Sequence, residues 1–250
     1  MPETLVAGLE TTDLLWLLGA VWVAGMVRGF AGFGSAMIIM PVASSVLPPY
    51  AAITFMMMAE LLGPLPNLRA ALRDGVPRDA GRLVIGAALA VPVGIWFLSN
   101  MSPQVFGWVV SVCVLGLLVM LISGWRYNGR LTPGLTVATG SIGGFMSGLC
   151  GLPGPPVIML YMSSWLPISV IRANFLLYLL AIDIIMIAAF WVVGLLVWPV
   201  VVLGLLAGVP NVLANMVGAR LFNPDAARLF RAVAYAIIAT SAMIGLPIWS

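Results

Sequence analysis

The chain contains no histidine and no lysine, and its 250 residues include only two cysteines. Without histidine there is no Ser-His nucleophile pair and no imidazole ligand for zinc or haem. Cys113 and Cys150 stand alone in separate apolar stretches, so they form neither a metal motif nor a disulfide framework. No GxxxxGK[ST] phosphate loop is present, which removes an ATPase of the chain's own. Charge is scarce as well. Charged residues make up 8% of the chain and apolar ones 62%, against about 25% charged in soluble domains. A soluble core of this length cannot hide that much apolar surface, so the expected solvent is lipid. All 11 basic residues are arginine. They are scattered between apolar stretches, where they set topology rather than bind nucleic acid. The composition calls for no cofactor and no metal.

What is present is a series of apolar segments, at 12–28, 33–48, 51–68, 82–99, 104–124, 133–150, 154–168, 172–196, 199–220 and 228–248. A helical span takes about 20 residues, so ten segments fit the length. The expected fold is an all-α polytopic membrane protein of about ten helical segments. Segments 33–48 and 154–168 are short and follow glycine- or proline-rich breaks, as halves of broken or re-entrant helices do. With ten crossings and an outside N-terminus, the arginines at 28, 69–82, 126–130, 172 and 220–231 all fall on the cytoplasmic side. The acidic start (Met1-Pro2-Glu3, then Glu10 and Asp13) favours a retained first span over a signal peptide. An eight-crossing arrangement with two re-entrant hairpins keeps the large loops inside but brings both termini inside too.

The chain also repeats itself. Gly29-Phe30-Ala31-Gly32-Phe33-Gly34-Ser35-Ala36 aligns with Gly148-Leu149-Cys150-Gly151-Leu152-Pro153-Gly154-Pro155 at an offset of 119 residues, which also pairs Gly25 with Gly144 and Pro48 with Pro167. Gly94 and Phe106 match Gly218 and Phe230 at an offset of 124. The repeats are expected over 1–125 and 133–250, within one integrated membrane domain. Five segments in each half, an odd number, make the second repeat inverted. That is the architecture of secondary transporters, whose site lies near the midplane.

The two glycine-rich stretches are expected to unwind a helix within the membrane, which is tolerated only where backbone is buried in protein or lines a cavity. A new helix then starts near Ser35 and near Pro155. Free N–H groups and the helix dipole favour anions there, and proline suits a first turn. Gly32, Gly34, Ser35, Gly151 and Gly154 are therefore anion-site candidates, although glycines also serve close helix packing. Arg28, before the first break, and Arg172, with Asn174 two residues on, are candidates to line the same path; snorkelling to the interface is the competing role. Asn67, Asn174, Asn211 and Asn215 are neutral polar residues expected at depth, as oxyanion donors or as interhelical contacts. Asn211 and Asn215 share a helix face. Ser147 and Tyr161 are weaker candidates for the same task. Glu60 and Asp183 are intramembrane carboxylates, costly in lipid and commonly functional; they are the proton-coupling candidates, or else structural partners of arginine. Met56-Met57-Met58 reads as adaptable packing.

In length, repeat pattern and the two glycine motifs, the chain resembles the sulfite exporter TauE/SafE family of bacterial membrane permeases. The resemblance covers nearly the whole chain. It implies a non-enzymatic permease of the bacterial cytoplasmic (inner) membrane, moving small sulfur-containing anions such as sulfite, sulfoacetate or related organosulfonates, with coupling to an ion gradient. The partners it implies are a small anion, the lipid bilayer and a coupling proton or cation. Glycine-rich helix faces also suit a homodimer. One departure is Pro153, where the family motif usually has glycine. An anion channel built on the same breaks and a non-transporting scaffold subunit are the alternatives the sequence leaves open.

Overall fold

The computed structural model describes residues 9–124, 132–161 and 166–248. The described elements are helical, and each of the ten expected segments contains a helix. In chain order they are α1 (Thr11–Ala31), α2 (Ser35–Val46), α3 (Pro49–Leu61), a short α4 (Leu68–Asp74), α5 (Pro77–Ser99), α6 (Pro103–Ile122), α7 (Pro133–Cys150), α8 (Gly154–Tyr161), α9 (Ile168–Val193), α10 (Trp198–Leu221) and α11 (Ala227–Ile244). Prolines open several of them, at Pro49, Pro77 and Pro133, where a missing N–H costs nothing.

Among the described residues, six stretches are long and apolar enough to cross a membrane: α1, α5, α6, α10, Pro49–Asp74 and Ser169–Val193. At 12 residues α2 is about 18 Å long, short of the roughly 30 Å hydrocarbon core. The membrane-facing character is also visible on the surface. Trp16, Leu89, Trp96, Trp191, Val192 and Trp198 are each more than half exposed, which lipid tolerates and water does not.

By its contacts the chain divides into two compact units, each drawing helices from both halves of the sequence. The first comprises residues 1–63, 101–119 and 194–250. In it α1 and α3 both pack on α10, and α2 contacts α1, α3 and α11. The second comprises residues 64–100 and 120–193. In it α7 packs along α5, α9 packs against α5 and α4, and α8 contacts α7 and α9.

The principal helix contact in each unit depends on glycine, and the two contacts match atom for atom. A Cβ at Gly29 would collide with the Asn215 carbonyl oxygen and sit 2.7 Å from Ala219 N and 2.9 Å from Gly218 C. A Cβ at Gly148 would sit 2.5 Å from the Val91 carbonyl oxygen, 2.9 Å from Ile95 N and 3.1 Å from Gly94 C. Gly29 and Gly148 are 119 residues apart, and each of the three partners in α10 is 124 residues beyond its counterpart in α5. Gly25 against Asn211 and Gly144 against Ala87 follow the same rule. The offsets read from the sequence therefore equate residues in equivalent packing positions.

Most of each glycine motif stays helical. α1 runs through Arg28-Gly29-Phe30 to Ala31, a full span of 21 residues before the break, rather than unwinding part-way along a span. The reason is packing: Gly29 and Gly148 lack a Cβ so that helices can touch. The unwinding is confined to Gly32 (φ 81°), Phe33 and Gly34 (φ 95°) in one motif and to Gly151 (φ 70°), Leu152 and Pro153 in the other, and the left-handed φ values are ones that glycine adopts without strain.

Candidate functional site

The first break lies in the first unit. The Gly32 N–H donates to the Arg28 carbonyl at 2.8 Å, closing α1 with a left-handed cap. After Gly34, α2 begins at Ser35, which is 5% exposed. No side chain caps that end, so its first-turn N–H groups have no partner within the helix. Arg28, on the last turn of α1, turns its guanidinium to α3, where Nη1 lies 3.3 Å from Glu60 Oε2. The side chains of this pair are 14% and 11% exposed. The second oxygen, Glu60 Oε1, is buried without a hydrogen-bond partner. Gly63, just past α3, lets the pair form: a Cβ there would stand 3.2 Å from Arg28 Nη1.

Asn211 belongs to the same three-helix junction. On α10 it meets α1 at Gly25, and one turn earlier Gly208 meets α3 at Ala59 and Leu62. Asn211 is fully buried, and both its Oδ1 and its Nδ2 lack hydrogen-bond partners. A buried amide left unsatisfied on both atoms costs on the order of 1–3 kcal/mol per group. It is a polar feature that a ligand would satisfy.

The second break lies in the second unit and is more enclosed. Residues 151–155 are buried, and Gly154 packs against Phe175. The Tyr178 hydroxyl donates to the Pro153 carbonyl at 3.4 Å, tying the break to α9. Asp183, 7% exposed on α9, is close enough to act electrostatically on that hydroxyl. Pro155 and Pro156 remove two N–H groups from the first turn of α8, so this helix start offers fewer donors than α2 does.

Asn174, fully buried on α9, reaches the entry to α5: its Oδ1 accepts from the Val76 N–H at 2.7 Å. Tyr161 stands within interaction range of Asn174, and the Asp79–Arg82 ion pair (2.9 Å) lies close enough to act on it. Asn174→Ala should cost about 1–2 kcal/mol by stranding the Val76 amide. Peptide-level hydrogen exchange would show faster exchange in the segment around 75–80, and unchanged protection there would refute the latch.

The remaining candidates are dispersed. Asn215 is half-buried, with its carbonyl under Gly29. Asn67 is exposed, not buried at depth, because Gly63, Pro64 and Pro66 end α3 and turn the chain there. Arg172 is exposed in the second turn of α9, which begins at Ile168 rather than at residue 172. Ser147 is buried in α7. The N-terminal Met1-Pro2-Glu3 and the cytoplasmic-loop candidates Arg126 and Arg130 lie outside the described residues. Sequence reasoning missed Tyr178 and Gly63; the Gly63-Pro64 pair was the available signal for the second. Among the described residues no cluster of histidine, cysteine or carboxylate side chains could hold a metal ion.

Long apolar helices, helix breaks lined by glycine and a largely buried arginine beside one break together describe a polytopic membrane protein. The model of the family described as Sulfite exporter TauE/SafE matches residues 17–244. The chain belongs to the sulfite exporter TauE/SafE family. No curated protein and no solved structure matched the chain.

Proposed function

We propose that the protein is a secondary carrier that exports small sulfur oxyanions, sulfite or organosulfonates, across the bacterial inner membrane by alternating access, with its N-terminus outside. Family membership supports the substrate class. The matched glycine contacts support two structural repeats, and five segments in each make the second inverted, as in many secondary carriers. The observation that carries the anion assignment is Arg28. It is a largely buried guanidinium at the first break, in the same unit as the buried, unpartnered Asn211 amide and the uncapped start of α2. Arginine offers planar, paired donors that match an oxyanion. Gly32, Gly34, Ser35 and Asn211 complete the candidate site in the first unit. Gly151, Gly154 and Asn174 are the candidates in the second unit, with Asp183 as a further proton-coupling candidate.

Purified protein in proteoliposomes should show saturable counterflow of labelled sulfite, competed by sulfoacetate and not by chloride. A flat response across sulfite, sulfonates and carboxylates would defeat the reading. Ion currents without saturation or counterflow would replace the carrier by a channel.

A further inference from the structure

We infer that Arg28 alternates between two anionic partners: it holds Glu60 when the site is empty and the substrate oxyanion when it is loaded, and the exchange puts one proton on Glu60. This inference rests on the carrier reading above and adds the coupling step.

The geometry suits an exchange rather than a fixed structural bridge. The contact is a single one at 3.3 Å, not the paired, shorter contact of a structural arginine–carboxylate bridge. Glu60 uses one oxygen on Arg28, and the other is buried without a partner. Both side chains keep partial access to their surroundings, so solute and proton can reach them. Asn211, with donor and acceptor both unpartnered, is placed at the same junction to receive an oxygen of the incoming anion.

The charges around Glu60 leave few other ways to balance them. On α1, Arg28 faces it; Asp13 lies at the far end of that helix. On α10, Gly204 and Gly208 meet α3, the neutral Asn211 follows one turn on, and Arg220 is exposed toward the end of that helix. α2 carries no titratable side chain, and on α3 itself Tyr50 lies at the opposite end. When an oxyanion takes the guanidinium, an ionised Glu60 would be left beside a second negative charge and without a cation. An unpaired buried charge is removed by neutralisation. The step balances: the Arg28–Glu60 ion pair breaks, an Arg28–oxyanion pair forms, and Glu60 takes one proton from solution. Anion and proton then travel in the same direction, so export runs down the anion's own gradient and carries the proton with it.

The test measures proton uptake on binding. Detergent-purified, full-length protein in weak buffer receives sulfoacetate, which stays ionised near neutral pH, so any proton taken up belongs to the protein. Wild type should take up about one proton per anion bound, and its apparent affinity should change by up to about tenfold per pH unit. Glu60→Gln, which keeps an acceptor for Arg28 but cannot titrate, should bind without proton uptake, with an affinity that is flat against pH. Anion binding by wild type without proton uptake overturns this inference and leaves the carrier reading intact. So does proton uptake that persists in Glu60→Gln. No binding of sulfite or sulfonate by wild type defeats the carrier reading itself. The wild-type measurement decides even where the variant fails to fold.

Discussion

Gly29→Ala should lower the stability of the detergent-solubilised protein by about 3 kcal/mol, at the upper end of overpacking costs because the obstacle is backbone rather than a flexible side chain. The added methyl would meet the Asn215 carbonyl, Ala219 N and Gly218 C. α1 and α10 must then separate along their whole contact, since neither helix backbone can yield locally. Gly148→Ala should lose a similar amount, because its methyl would meet the equivalent atoms of Val91, Ile95 and Gly94. Gly19→Ala, on the same helix as Gly29 but facing open space, is the control. It should be neutral or stabilising by up to about 1 kcal/mol through helix propensity. Thermal unfolding followed by tryptophan fluorescence, with nine tryptophans in the chain, would measure all three. Equal behaviour of Gly29→Ala and Gly19→Ala would contradict the packing. A tolerant Gly148 beside an intolerant Gly29 would contradict the equivalence of the two units.

Arg28→Ala should cost about 3 kcal/mol and abolish sulfite counterflow. Breaking a buried ion pair from one side costs roughly 3–5 kcal/mol because it leaves the other charge unpaired. The lower value applies here since both side chains retain some exposure. Arg28→Ala/Glu60→Ala should be less destabilised than the sum of the single variants, by about 1–2 kcal/mol, because removing both partners strands no charge. Chemical denaturation of the four proteins closes the cycle. Singles that add within about 0.5 kcal/mol would mean that the two side chains do not interact.

Helix positions were largely legible in the sequence because apolar runs, glycine and proline report local physics. The short segment expected from residue 33 is α2, starting at Ser35, and the one expected from 154 is α8, starting at Gly154. Ends were less legible. The segment 12–28 is α1 through Ala31, because a charged Arg28 and a packing Gly29 do not stop a helix whose neighbours accommodate them. The segment 51–68 ends at Leu61, where Gly63 and Pro64 break it. α5 starts at Pro77, five residues before the expected 82, because Arg78, Asp79 and Arg82 are helical residues that a search for apolar runs passes over.

For the candidate site, residue type was informative and pairing was not. Arg28 and Glu60 stood out individually as charges in apolar surroundings, and a structural bond between Glu60 and an arginine was one of two roles left open. That Arg28 is the partner, 32 residues away, follows from α1 and α3 both packing on α10. Asn174 was visible as a buried amide, but its bond to the Val76 N–H spans 98 residues and no local pattern encodes it.

The sequence by itself determined that this is a lipid-embedded helical protein and which stretches form its helices, because composition and helix propensity are local properties that survive unfolding. Only the tertiary structure decided which glycine serves packing and which serves unwinding, and which carboxylate Arg28 holds. Those outcomes depend on atoms from distant segments arriving within a few ångströms of each other. The tertiary structure also set α1 against α10 and α5 against α7, across the two halves of the chain, a choice made by complementary helix surfaces rather than by neighbourhood along the sequence.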